Sequence, residues 1–113
     1  MIKIFHNNRC KKSREGLEFL KSKTSDFEIV DYLNNPPNAD EMKTVLNQLG
    51  MTALEMVRKN EDIWKQKFKG KEMSEEEIIN AMIKNPKLIE RPIIIKDGKA
   101  VLARPVENIE KLF

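Results

Sequence analysis

Apolar positions fall at strand spacing near the two ends of the chain and at helix spacing between them. Ile2, Ile4 and Phe5 form a short buried-strand pattern, and Phe27 to Val30 a second. Between them the run from Lys11 to about Lys23 predicts a helix with Leu17 and Leu20 turned inward. A strand, a helix and a strand within about 30 residues make a βαβ unit, so these two strands should be parallel. Asn34-Asn35-Pro36-Pro37 breaks the pattern as a loop. Asn38 and Glu41 then have capping-box spacing, ahead of Met42, Val45, Leu46 and Leu49 on one helical face, and Gly50 is placed to end that helix. A short helix is expected around Ala53–Val57 and another over Asp62–Phe68. Ser74 with Glu77 caps a further helix carrying Ile78, Ile79, Met82 and Ile83, which Pro86 should stop. The pattern then returns to strand: Pro92–Lys96, a two-residue Asp97-Gly98 turn of the primed type, and Ala100–Leu102. A last helix is expected from Pro105, with Val106, Ile109 and Leu112 inward.

The order β-α-β, several helices, then β-β-α predicts an α/β protein built on a four-stranded mixed sheet. This is a thioredoxin-like architecture, with its core in residues 1–33 and 91–113 and a helical insertion over 34–90. The chain has 113 residues, 40% of them hydrophobic and 35% charged, which suits one soluble domain with its own core. A single cysteine excludes a disulfide framework and fits a reducing, cytoplasmic setting. The first apolar cluster is too short for a signal peptide, and no apolar run approaches the ~20 residues of a membrane span. The net charge of +3 is spread as lysine among glutamates and reads as a solvated surface. With aromatics at 6%, the stacking stripe of a nucleic-acid binder is missing. Trp64 reads as a packing residue. One histidine and one cysteine do not make a metal site, and there is no phosphate-loop motif.

Cys10 stands out against this background. It follows the first strand and precedes the first helix, where unpaired backbone N–H groups and the positive end of the helix dipole favour a thiolate. His6, Arg9, Lys11, Lys12 and Arg14 add basic residues nearby in sequence. Without a second cysteine the chain cannot close its own disulfide, so redox chemistry at Cys10 needs an external thiol. Arginine is used sparingly: Arg9, Arg14, Arg58, Arg91 and Arg104, against a large excess of lysine. Its planar fork suits a tetrahedral oxyanion better than the point charge of lysine. Arg91 and Arg104 each precede a proline, and Glu90, directly before Arg91, is positioned to pair with it.

These residues carry a family resemblance. His6-Asn7-Asn8-Arg9-Cys10-Lys11-Lys12-Ser13 resembles the H-N-x-x-C-x-x-S segment of the ArsC-type, glutaredoxin-coupled arsenate reductases. Tyr32-Leu33-Asn34-Asn35-Pro36-Pro37 is similar to that family's Y-L-x-x-P-P loop, and Leu54 to Asn60 to its arginine-bearing insert helix. Arg91-Pro92-Ile93 and Arg104-Pro105 are similar to its two R-P pairs. The resemblance implies Cys10 as nucleophile, Arg58, Arg91 and Arg104 as oxyanion ligands, and His6 as a residue that tunes the thiol. It further implies a Ser13 hydroxyl that donates to the sulfur, and Pro92 as a cis-proline. The implied reaction is reduction of arsenate to arsenite by a monomer, with no tightly bound cofactor, glutathione as co-substrate and a glutaredoxin as partner. Two other readings stay open. Cys10-Lys11-Lys12-Ser13 also resembles the motif of monothiol glutaredoxins, which exchange thiols without reducing arsenate. The Spx transcription factors, which bind RNA polymerase, share the ArsC fold.

Overall fold

Four strands form one sheet in the order β2-β1-β3-β4. They are β1 (Ile2–Phe5), β2 (Phe27–Val30), β3 (Ile93–Lys96) and β4 (Lys99–Leu102). The computed structural model describes residues 1–113. The strands belong to a unit made of Met1–Asn35 and Arg91–Phe113, while Pro36–Glu90 forms a second unit.

In the sheet unit, β1 pairs parallel with β2, Ile4 opposite Ile29, and antiparallel with β3, Ile4 opposite Ile94. The parallel pair is joined by helix α1 (Lys11–Lys23), as a βαβ crossover requires. β3 turns into β4 through Asp97 (φ 51°) and Gly98 (φ 80°). Positive φ at both central residues is the mark of a primed turn, whose twist matches that of the flanking strands. The register of this hairpin continues past the strands, where the Ala103 N–H donates to the Pro92 carbonyl at 3.0 Å. Ile2, Ile4, Leu20, Ile94, Ala103, Ile109 and Leu112 form the buried core of this unit.

Two local expectations change. The C-terminal segment Val106–Leu112 is a 3₁₀ helix, and Pro105 stands before it in an extended conformation. Val106, Ile109 and Leu112 are spaced by threes, so three residues per turn brings all of them onto one face. In α1 the buried stripe is Ser13, Gly16 and Leu20, whereas Leu17 lies at the core margin.

The second unit is helical. α2 (Ala39–Leu49) carries a complete Asn38–Glu41 capping box and ends at Gly50 with φ 68°, the left-handed conformation glycine adopts freely. A 3₁₀ turn at Leu54–Met56 and α3 (Asp62–Lys67) follow. α4 (Glu75–Lys84) is capped by Ser74 and Glu77. Pro86 both closes α4 and opens a 3₁₀ turn, Pro86–Leu88. Met42, Met56, Ile79, Met82, Leu88 and Ile89 are fully buried. Trp64 is buried beside the ring of Phe68, one helical turn on, at a centroid distance of 5.5 Å.

Gly16 lies in close contact with Pro92 in the sheet unit. A Cβ there would stand 2.5 Å from Cγ of Pro92. Glycine therefore lets the α1 backbone lie directly against the Arg91–Pro92 loop. Gly16→Ala should gain up to about 1 kcal/mol of helix propensity but lose about 1–3 kcal/mol to overpacking against a rigid ring. The expected net result is a lower urea midpoint. An unchanged midpoint would mean that the Pro92 loop yields without cost.

Candidate active site

Six of the residues singled out in the sequence lie together in the sheet unit. β1 delivers His6, whose N–H donates to the Val30 carbonyl at 3.2 Å. The loop that follows is closed by its own polar groups. The Cys10 N–H donates to the Asn7 carbonyl at 3.0 Å, and the Arg9 N–H to Asn7 Oδ1 at 3.0 Å. Asn7 is itself buried, and its N–H donates to Ser13 Oγ at 2.9 Å. Arg14 ties the outer side, with Nη1 donating to the Asn8 carbonyl at 2.9 Å. Cys10 is then the residue that caps α1, and its carbonyl accepts the Arg14 N–H at 3.0 Å.

The thiol is free and half-buried. Its sulfur forms no capping hydrogen bond in the strict sense, yet its pKa lies below the ordinary cysteine value. Burial pushes it up. The Ser13 N–H, the Arg91 guanidinium and the Lys12 N–H together more than reverse that. A second guanidinium is close: Arg104 Nη2 stands 3.7 Å from Cys10 Sγ. Arg104 Nε donates to the Arg91 carbonyl at 2.8 Å, so the two arginines are tied to each other across the hairpin. Arg91 is buried, with 7% of its surface exposed, and a cation so placed favours an anion beside it. Both arginines precede cis-prolines, Pro92 and Pro105.

Ser13 acts differently from the expectation of a hydroxyl directed at the sulfur. Its Oγ is engaged by the Asn7 N–H and by His6 Nδ1 at 2.7 Å, while its backbone N–H serves the thiolate. The reason is its place three residues into the helix, where an unpaired N–H faces the capping position. His6 has a lowered pKa, chiefly through burial and further through Arg14 and Lys21, against the raising effect of its bond to Ser13. It is therefore a neutral ring near pH 7, and its bond to the Ser13 hydroxyl makes it a brace for the loop.

Arg58 belongs to the other unit, where it forms ion pairs with Glu61 and with Glu90. No group of three or more His, Cys, Asp or Glu side chains is arranged to hold a metal ion. No helix is long and apolar enough to cross a membrane. Asn7, which the sequence offered only as part of the resembling segment, and Gly16, which it did not single out, both shape the site. The Asn at the loop start had a legible signal, since Asn side chains bond to backbone two residues on. The close approach at Gly16 had none.

A profile of the ArsC family matches residues 5–112. The uncharacterised protein YfgD of Escherichia coli is 44% identical over 110 residues, spanning 96% of this chain and 92% of its own. An arsenate reductase of Neisseria meningitidis serogroup B is 40% identical over 111 residues, spanning 96% and 95%. The structure of an arsenate reductase from Vibrio cholerae superposes with a TM-score of 0.94 at 34% identity, covering 99% of this chain and 97% of that one. The fold is thus the thioredoxin-like fold of these reductases.

The lowered thiol pKa has a pH signature. The rate of Cys10 alkylation by iodoacetamide should rise with pH through a midpoint below the usual cysteine range. Arg91→Ala should move that midpoint up. The same shift affects stability: it contributes most above the unfolded thiol pKa and is lost as pH falls through the folded one. A midpoint at or above that of an unstructured cysteine would contradict the arrangement.

Proposed function

The chain belongs to the ArsC family, and from that premise we propose that it reduces arsenate to arsenite, with Cys10 as nucleophile and glutathione and a glutaredoxin as external reductants. The observation that carries the reading is the pair of guanidiniums, of Arg91 and Arg104, at the sulfur of the sole cysteine. Thiol exchange alone makes no use of two such forks, whereas a tetrahedral oxyanion approaching the thiolate needs its charge neutralised.

In this reading the Cys10 thiolate attacks arsenic(V), and an oxygen of arsenate leaves as water after protonation. Arg91 and Arg104 hold the remaining oxygens and stabilise the charge that builds as the sulfur–arsenic bond forms. Arg58 enters through the family resemblance as a third oxyanion ligand. The chain has no resolving cysteine, so a glutathione thiolate supplies the second sulfur. As the two sulfurs join, they give up two electrons, arsenic falls to the trivalent state and arsenite departs. The mixed disulfide between Cys10 and glutathione is then cleared by a glutaredoxin.

Purified protein should consume arsenate in the presence of glutathione and glutaredoxin, and Cys10→Ser should abolish turnover. Turnover retained in that variant would end the nucleophile assignment. Arg91→Ala and Arg104→Ala should each lower kcat/KM by roughly 10²-fold, the usual cost of one oxyanion donor. Wild-type kinetics in both would remove the anion site from the proposal.

A further inference from the structure

Arg58 is held by a small framework within the helical unit. Val57 and Ile89 form an antiparallel bridge. On either side of it the Arg58 N–H donates to the Leu88 carbonyl at 2.7 Å and the Glu90 N–H to the Met56 carbonyl at 2.9 Å. Residues one step to either side of a bridged pair point to the same face, so Arg58 and Glu90 are neighbours by register. Glu61 joins them from the following turn, its N–H donating to the Arg58 carbonyl at 3.1 Å.

The side chains then meet at ion-pair rather than hydrogen-bond distances. Arg58 Nε lies 3.4 Å from Glu61 Oε2, and Nη1 lies 3.8 Å from Glu90 Oε1. Good arginine–carboxylate hydrogen bonds are nearer ~2.7–2.9 Å. Both nitrogens are buried and neither forms a hydrogen bond. The two glutamates therefore compensate the charge of Arg58 without satisfying Nε or Nη1, and the three side chains together carry one formal net negative charge. A tetrahedral oxyanion would offer the missing hydrogen bonds, but it must compete with two carboxylates already in place.

We propose that Glu61 and Glu90 compete with the substrate oxyanion for Arg58 and so set its affinity. This rests on Arg58 being an oxyanion ligand. On that basis each carboxylate weakens anion binding, and removing its charge while keeping its shape strengthens it.

Arsenate titrated calorimetrically into full-length Cys10→Ser protein tests this without turnover. Glu61→Gln and Glu90→Gln, each verified as folded by circular dichroism, should tighten binding roughly two- to fivefold, the range that part-exposed ion pairs span. In the otherwise native chain the same changes should lower KM for arsenate and leave kcat in place. Adding Arg58→Ala should abolish the gain. Unchanged or weaker binding in both glutamine variants overturns the proposal, because the carboxylates would then be neutral or would support the guanidinium. A gain that survives Arg58→Ala overturns it equally, since it would reflect the general field. The underlying reading fails separately: Arg58→Ala alone would leave arsenate affinity unchanged.

Discussion

The contact between the α1 backbone and the Arg91–Pro92 loop governs the geometry of the sheet unit. It exists because residue 16 has no side chain to keep the Pro92 ring away. The helix that settles there is capped by Cys10, so its first N–H groups and the thiol are brought down onto the same loop that carries Arg91. The hairpin supplies Arg104 opposite, tied to the Arg91 carbonyl. A thiol, two N–H groups and two guanidiniums are thus placed by one steric fact and one strand register. The lowered pKa of Cys10 follows from that placement, since burial alone acts in the opposite direction.

Rigidity around the sulfur comes from a second source. Asn7, Ser13 and His6 form a closed set of hydrogen bonds that leaves the buried polar groups of the loop engaged. Buried polar networks of this kind specify one arrangement only when every member is satisfied. His6 contributes as a neutral ring and Ser13 as both a hydroxyl for the loop and an N–H for the thiolate. The fixed positive charge at the site comes from arginine, which does not titrate in the working range, and not from histidine.

Much of the fold was legible in the chain. Capping boxes at Asn38 and Ser74, the Asp97-Gly98 turn and the spacing of apolar residues are local signals, and they act through local physics. The Val106–Leu112 segment was read as a regular helix because spacing by threes satisfies both periods over so short a run. Gly16 and Asn7 escaped because their roles depend on what a distant or folded-back segment brings to them. The candidate residues at the thiol were named by chemistry and by resemblance. Their division of labour, with the Ser13 N–H favouring the thiolate and its hydroxyl engaged by Asn7 and His6, needed the folded structure. So did the two carboxylates on Arg58.

The hairpin register and the two-unit organisation place unequal constraints on changes in chain length. Arg91 and Arg104 sit opposite each other because Ile93 pairs with Leu102 across a two-residue turn. One residue inserted or deleted between them would shift that pairing and turn every following side chain to the other face. The helical unit leaves the sheet unit after Asn35 and returns at Arg91. Chain-closure entropy grows only slowly with length, about 0.6 kcal/mol per doubling. Evolution can therefore lengthen or trim the surface loops of the helical unit at small thermodynamic cost, while the 14-residue stretch that carries the arginine pair is held to its length.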